Sequence, residues 1–170
     1  KLGLVGVIAA ESSLALPDFS SEERSFQLLY QVLGRVGRGH GAGRAIVQTY
    51  QPDSPAVKMA ASRDYDGFYK HLLRERQNFR FPPAVYLLKI SGSRATAKGA
   101  RVAAENLKKK VAGLKLPVEA IGPAPAFYGR RGRQYRWQLV IKSKDRGHLL
   151  TIAQNLPANW TADLDPINLL

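Results

Sequence analysis

The chain has 170 residues, of which 45% are hydrophobic, no cysteine, and a formal net charge of +13. That hydrophobic content is enough for one packed domain or two small ones, and the lack of cysteine excludes disulfides and cysteine-ligated zinc. The charge predicts attraction to a polyanion, either nucleic acid or an anionic membrane surface, and no apolar run approaches the roughly 18 to 20 residues of a membrane-spanning helix.

Leu2 to Ala9 reads as a buried parallel strand. Lys1 ahead of an apolar stretch ending in small residues also has the form of a secretion signal. Gly3, Gly6 and the lack of an initiator methionine favour instead an interior strand of a longer chain. Ser20 followed by Glu23 has capping-box spacing, so an amphipathic helix is expected from Glu22 to Val36, stopped by Gly37, Gly39, Gly41 and Gly43. Arg44 to Tyr50 returns as a strand. Such a strand-helix-strand piece is too small to cover both faces of its own sheet, and further strands are expected upstream.

Gln51 to Pro55 reads as a loop, and about Asp64 to Phe79 as a helix with Tyr65, Phe68, Tyr69 and Leu72 at helical spacing, ended by Pro82-Pro83. Strand Val85 to Ser91, helix Ala95 to Ala112, strands Val118 to Ile121 and Gln134 to Lys142, helix Asp145 to Leu156 and strand Trp160 to Leu164 follow. That order is βαββαβ, a ferredoxin-like α+β plan. In its third strand Tyr135, Trp137, Leu139 and Ile141 alternate with Arg136, Gln138, Val140 and Lys142, which predicts one core face and one polar or wet face.

The segment from Gln31 to Arg38 carries the sharpest chemistry. On a continuous helix turning ~100° per residue, Arg35 falls about 40° and Arg38 about 340° from Gln31, with Phe26, Leu29 and Leu33 on the opposite side. Paired guanidiniums on one face suit phosphate oxygens, although arginine-rich helix faces are also ordinary solvated surface. The glycines from Gly37 to Gly43 match neither a Gly-x-Gly-x-x-Gly loop nor a Walker A ending, so they read as a turn.

Gln31-x-x-Gly34-Arg35-x-Gly37-Arg38 resembles the sixth signature motif of superfamily-two helicases. Leu16-Pro17-Asp18-Phe19, Glu23-Arg24-Ser25-Phe26-Gln27-Leu28-Leu29, Gly122-Pro123-Ala124-Pro125-Ala126, Tyr135-Arg136-Trp137-Gln138 and Asp163-Leu164-Asp165-Pro166 look like the primosomal replication-restart helicases, the primosomal protein N′ family. Two places depart from it: Ala9-Ala10-Glu11 stands where the family usually reads Asp-Ala-Asp, and Ala84 stands where an aromatic residue usually follows Pro82-Pro83.

The resemblance implies the end of a second RecA-like lobe over residues 1–52, a linker and helix over 53–84, and a basic α+β domain over 85–170 that binds DNA and partners. It further implies an ATP-dependent DNA helicase unwinding 3′ to 5′, with Arg35 and Arg38 stabilising charge on the γ-phosphate, and Gln31 and Gly34 contributing to the nucleotide site. ATP and Mg²⁺ would be held mainly by the other lobe, and zinc by an upstream insertion, so no metal site is expected in this chain. Implied partners are branched forks and single-stranded DNA, primosome proteins and the acidic tail of single-stranded DNA-binding protein, the last at Arg146. The compartment implied is the cytoplasm.

For DNA binding, residues 94–146 hold fourteen basic side chains against three acidic ones, a net of +11. Arg130, Arg131 and Arg133 sit in the connection before Tyr135, where a loop can lay guanidiniums along a phosphate backbone. Lys108, Lys109 and Lys110 lie on the outward side of a helix whose Ala100, Ala103, Leu107, Val111 and Leu114 face inward, which suits DNA and plain solvation equally. Tyr135 and Trp137 share a strand face with Leu139 and Ile141 and read as core, while His148 and Trp160 read as structural. The scattered His40, His71 and His148 lack metal-ligand spacing. A basic α+β module without enzymatic activity, of the ribosomal-protein type, is the alternative reading.

Overall fold

Apolar side chains from two stretches of sequence gather into two separate cores, and the chain divides accordingly into Lys1–Glu75 and Arg76–Leu170. The computed structural model describes residues 3–12, 14–36 and 43–170.

In the first unit, β1 (Leu4–Val7) pairs in parallel with β2 (Arg44–Val47), Leu4 opposite Arg44 and Val7 opposite Val47. The crossover carries α1 (Ser21–Leu33), and two further helices follow, α2 (Pro55–Ala61) and α3 (Tyr65–Asn78). Phe26, Leu29 and Leu33 recur at the spacing that puts side chains on one helical face, and they bury against Ala56, Val57 and Ala60 of α2 and Phe68 of α3. The rings of Phe26 and Phe68 stack 3.8 Å apart at 7°.

Four expectations change here. The Ser20 half of the capping box does not form: Ser20 is the N-cap of α1 but its side chain makes no cap bond, and its main-chain N–H and its hydroxyl both donate to Asp18 Oδ1. The helix stops at Leu33, three residues early, because Gly34 caps it and Arg35 and Val36 turn back through i−3 bonds to Val32 and Leu33. Pro55, expected to close a loop, opens α2, where proline suits the first turn because its missing N–H would be unpaired there anyway. Finally, β1 is not fully buried. Among the described residues, helices pack on one side only, leaving Leu4 and Ile46 mostly exposed, whereas parallel sheets normally bury both faces.

The second unit has the βαββαβ order: β3 (Tyr86–Arg94), α4 (Ala97–Gly113), β4 (Glu119–Arg131), β5 (Gln134–Ser143), α5 (Arg146–Gln154) and β6 (Thr161–Leu164). All its strand pairs are antiparallel, in spatial order β4-β5-β3-β6. Leu88 and Ile90 of β3 and Leu139 and Ile141 of β5 meet Leu107 and Val111 of α4 and Leu149 and Ile152 of α5. Ala104, rather than Ala103, lies at the centre of the inward side of α4. Thr96 caps that helix, its hydroxyl oxygen accepting from Gly99 N–H at 3.0 Å.

The other sheet face is not wet. Lys89, Val140 and Lys142 are buried on it, because residues before β3 and after β6 lie across it. Lys142 Nζ donates to the Phe79 carbonyl at 2.7 Å and sits 3.8 Å from the Phe81 ring centroid. Gln138 donates to the Leu169 carbonyl and Lys89 Nζ to the main-chain oxygen of Leu170. Lysine stems can lie buried while the ammonium finds an oxygen. Burial lowers the pKa of Lys142 below the usual lysine value.

Candidate nucleic-acid interface

Charge separates with the two units. Residues 76–170 hold seventeen Lys and Arg against five Asp and Glu, a net of +12, and the first unit holds nine against eight. The β4-β5 hairpin concentrates this charge. Arg130 and Arg131 belong to β4 rather than to a loop, paired with Tyr135 and Gln134, and the connection is the two-residue turn Gly132-Arg133. Gly132 takes φ +61° there, a conformation two-residue hairpins favour and other residues resist. Arg130 Nε donates to the Gly132 carbonyl at 3.2 Å, and its guanidinium carbon lies 5.6 Å from the Tyr135 ring centroid. Arg130 and Arg133 are exposed, so the hairpin presents cations on a hydrogen-bonded frame. The Arg131 side chain lies outside the described residues.

The strand leading to this turn is irregular. One register shift falls between Ile121 and Ala124, where Gly122 takes φ +101°. A second falls between Pro125, opposite Trp137, and Arg130, opposite Tyr135, so four residues of β4 face only Arg136. Phe127 and Tyr128 occupy that bulge, and both are exposed. They are the aromatic pair that sequence reasoning passed over, since alternation along a strand carries no sign of where its partner skips residues.

Of the lysine cluster, all three members are exposed on α4, as expected. Lys108 Nζ donates to the Gly122 carbonyl at 2.6 Å, which ties α4 to the first irregularity of β4. Arg146 opens α5 beside the cap Asp145, and its Nε donates to Asp165 Oδ2 at 2.9 Å. Trp160 packs over Gly92, where a Cβ would lie 2.6 Å from the indole, and Arg94 stands 5.4 Å from its ring centroid. Trp160 is structural, and so is His148, whose ring meets Ser143 and Asp145.

In the first unit, Gln31 and Arg35 are both exposed, but Arg35 lies in the turn beyond Gly34. The face expected of one continuous helix therefore does not apply to Arg35, and Arg38 lies outside the described residues. The fold also assembles a group that sequence spacing concealed. His71 Nε2 approaches Glu22 Oε1 to 3.4 Å, and Glu75 lies one turn further along α3. One donor atom from each of the three lies within 4.8 Å of the others, a separation compatible with a divalent cation. Burial raises the Glu22 pKa above the ordinary carboxyl value; the charge of Glu75 adds to this and that of His71 opposes it.

Residues 77–167 match the family model described as the primosomal protein N C-terminal domain. The replication restart protein PriA of Bacillus subtilis (strain 168) is 33% identical over 163 residues, covering 95% of this chain and 20% of the relative. That of Synechocystis sp. is 39% identical over 149 residues, covering 84% and 17%. The PriA of Treponema pallidum is 34% identical over 180 aligned positions, covering 99% and 27%. The chain thus spans about a fifth of the length of the curated relatives it matches. With the matched model covering the basic βαββαβ unit and these relatives aligning along most of the chain, the protein belongs to the PriA family of replication restart proteins and contains its C-terminal domain.

Proposed function

We propose that this chain is the C-terminal part of an ATP-dependent 3′ to 5′ DNA helicase that restarts stalled forks and assembles the primosome. Its second unit, with ferredoxin-like element order, contacts DNA. The observation that carries this reading is the +12 charge of the second unit, with exposed arginines on a framed hairpin, in a chain whose relatives are replication restart proteins. Arg130, Arg131 and Arg133 hold the phosphate backbone, with Lys109 and Lys110 as a secondary patch. Lys108 contributes less, since its ammonium already serves Gly122.

The first unit is then the end of a RecA-like lobe. Its half-covered parallel sheet supports this reading, because additional strands and helices would bury Leu4 and Ile46. ATP and Mg²⁺, held mainly by the partner lobe, would supply the phosphoryl chemistry. Arg35 and Arg38 would meet the γ-phosphate charge, with Gln31 and Gly34 contributing to the nucleotide site. Zinc belongs to an upstream insertion. At Arg146, a carboxylate from the acidic tail of single-stranded DNA-binding protein displaces Asp165 from the guanidinium.

Counterion release tests the DNA surface. Log affinity for duplex DNA should fall linearly with log salt, with a slope of about −0.9 per phosphate contact. Replacing Arg130, Arg131 and Arg133 together with alanine should weaken binding evenly across sequences and flatten the slope by up to roughly three contacts. A triple variant with the wild-type slope places the DNA surface elsewhere.

A further inference from the structure

Two large aromatic side chains stand side by side on the β4 strand of the hairpin, both open to solvent: Phe127 is 47% and Tyr128 69% exposed. They are held out by backbone geometry. The four residues from Ala126 to Gly129 oppose Arg136 alone, so they leave the ladder as a bulge. Bulges bend a strand and re-aim its side chains. The bulge is tight, because a Cβ on Gly129 would lie 3.0 Å from the Ala126 carbonyl oxygen. It is also anchored, because Ala126 is buried. Phe127 and Tyr128 lie between these two ends, their rings 5.0 Å apart and 83° from parallel. Perpendicular rings point their faces in different directions, so each offers its own stacking surface.

The surroundings select the occupant. No acidic residue occurs between Glu119 and Asp145, whereas Arg130, Arg131, Arg133 and Arg136 follow the aromatic pair directly. An exposed aromatic pair followed along the hairpin by arginines and no acid fits a ligand that is anionic along one edge and aromatic along the other. A nucleic-acid strand has this character, and its base faces are open only where bases are unpaired, since a duplex stacks them on one another.

We propose that the Ala126–Gly129 bulge is a stacking platform for unpaired nucleotides, with Phe127 and Tyr128 taking base faces and Arg130 and Arg133 taking the flanking phosphates. This rests on the hairpin being the DNA surface and adds which form of DNA it prefers. Base-aromatic stacking tolerates any sequence and strengthens single-strand binding by a factor of about ten or more per stacked base.

The test uses this chain with Phe127→Ala/Tyr128→Ala, fluorescence anisotropy on a short oligo-dT and on a short duplex, and an oligo-dT carrying a single 2-aminopurine. Both side chains are exposed, so the variant should keep the wild-type circular dichroism and melting temperature. The expected result is single-strand affinity reduced about tenfold or more, quenching of 2-aminopurine lost, and duplex affinity and salt slope unchanged. Tyr128→Phe should retain the wild-type behaviour. Unchanged single-strand affinity, or an equal loss on duplex, overturns the proposal. Arg130→Ala/Arg133→Ala separates the two readings. If it flattens neither salt slope, the hairpin is not the DNA surface and both readings fall. If it flattens them while the aromatic variant binds as wild type, only the stacking falls.

Discussion

Glu22 shows how one side chain acquires chemistry from neighbours distant in sequence. It opens α1 in a first turn shared with Glu23, an ordinary place for a carboxylate near a helix N-terminus. α3 then brings His71 and Glu75 against it. Burial and the like charge of Glu75 raise its pKa, so the folded chain keeps a proton that the unfolded chain has already released. The folded state binds more protons in the window above the ordinary value of 4.5. Stability from this group is therefore present at low pH, falls as pH rises through that window, and stays lost above the folded pKa. Glu22→Gln, which carries no charge to desolvate, should melt higher than wild type at pH 7, with the advantage shrinking toward pH 4. Thermal melts of both proteins across that range check it, and a pH-independent difference would show that the carboxyl is unperturbed.

Single elements differ in how much of them sequence pattern reveals. The stripe of Phe26, Leu29 and Leu33 marks α1, and the aromatic residues at Tyr65 and Phe68 mark α3, because helical period is local information. The end of α1 was less legible. Gly34 caps the helix where the pattern alone suggested three further residues, and Arg35 consequently sits on a turn. This bears on chemistry, since the backbone of Arg35 is set by a turn, its N–H donating to the Val32 carbonyl and that of Val36 to the Leu33 carbonyl, rather than by helix periodicity. On the proposed reading, Arg35→Ala or Arg38→Ala in a protein that also carries a phosphate-binding lobe should lower ATP turnover by about 10³ or more, the loss typical of arginine fingers. DNA affinity should be nearly unchanged. Turnover assays with parallel binding titrations decide this, and wild-type turnover in both variants removes the arginines from the nucleotide site.

At the scale of the whole molecule, the two units carry different charge and different degrees of completeness. The second unit closes a core on one sheet face and covers the other with residues around Phe79 and Leu169. The first leaves its small parallel sheet half covered. An arginine pair without the opposing phosphate loop cannot hold a nucleotide in reacting geometry, so the purified chain should show no DNA-stimulated ATP hydrolysis. A phosphate-release assay with saturating DNA measures this, and hydrolysis above the no-enzyme rate would refute the division of labour. Among the described residues, no helix is long and apolar enough to cross a membrane.

Net charge, its concentration toward the C-terminal half, the βαββαβ order and the family motifs are all present in the linear text, because each depends on residue identity or on neighbours a few positions apart. Which sheet face is wet was not, and neither were the bulge that exposes Phe127 and Tyr128 or the grouping of Glu22 with His71. Lys142 is buried by Phe79 and Phe81, Gly92 is needed under Trp160, and the aromatic pair is turned outward by a skipped register against β5. Each of these depends on a contact between segments separated in sequence. Alternation along one strand specifies two faces but not what will cover them, and only the folded arrangement of the remaining chain decides that.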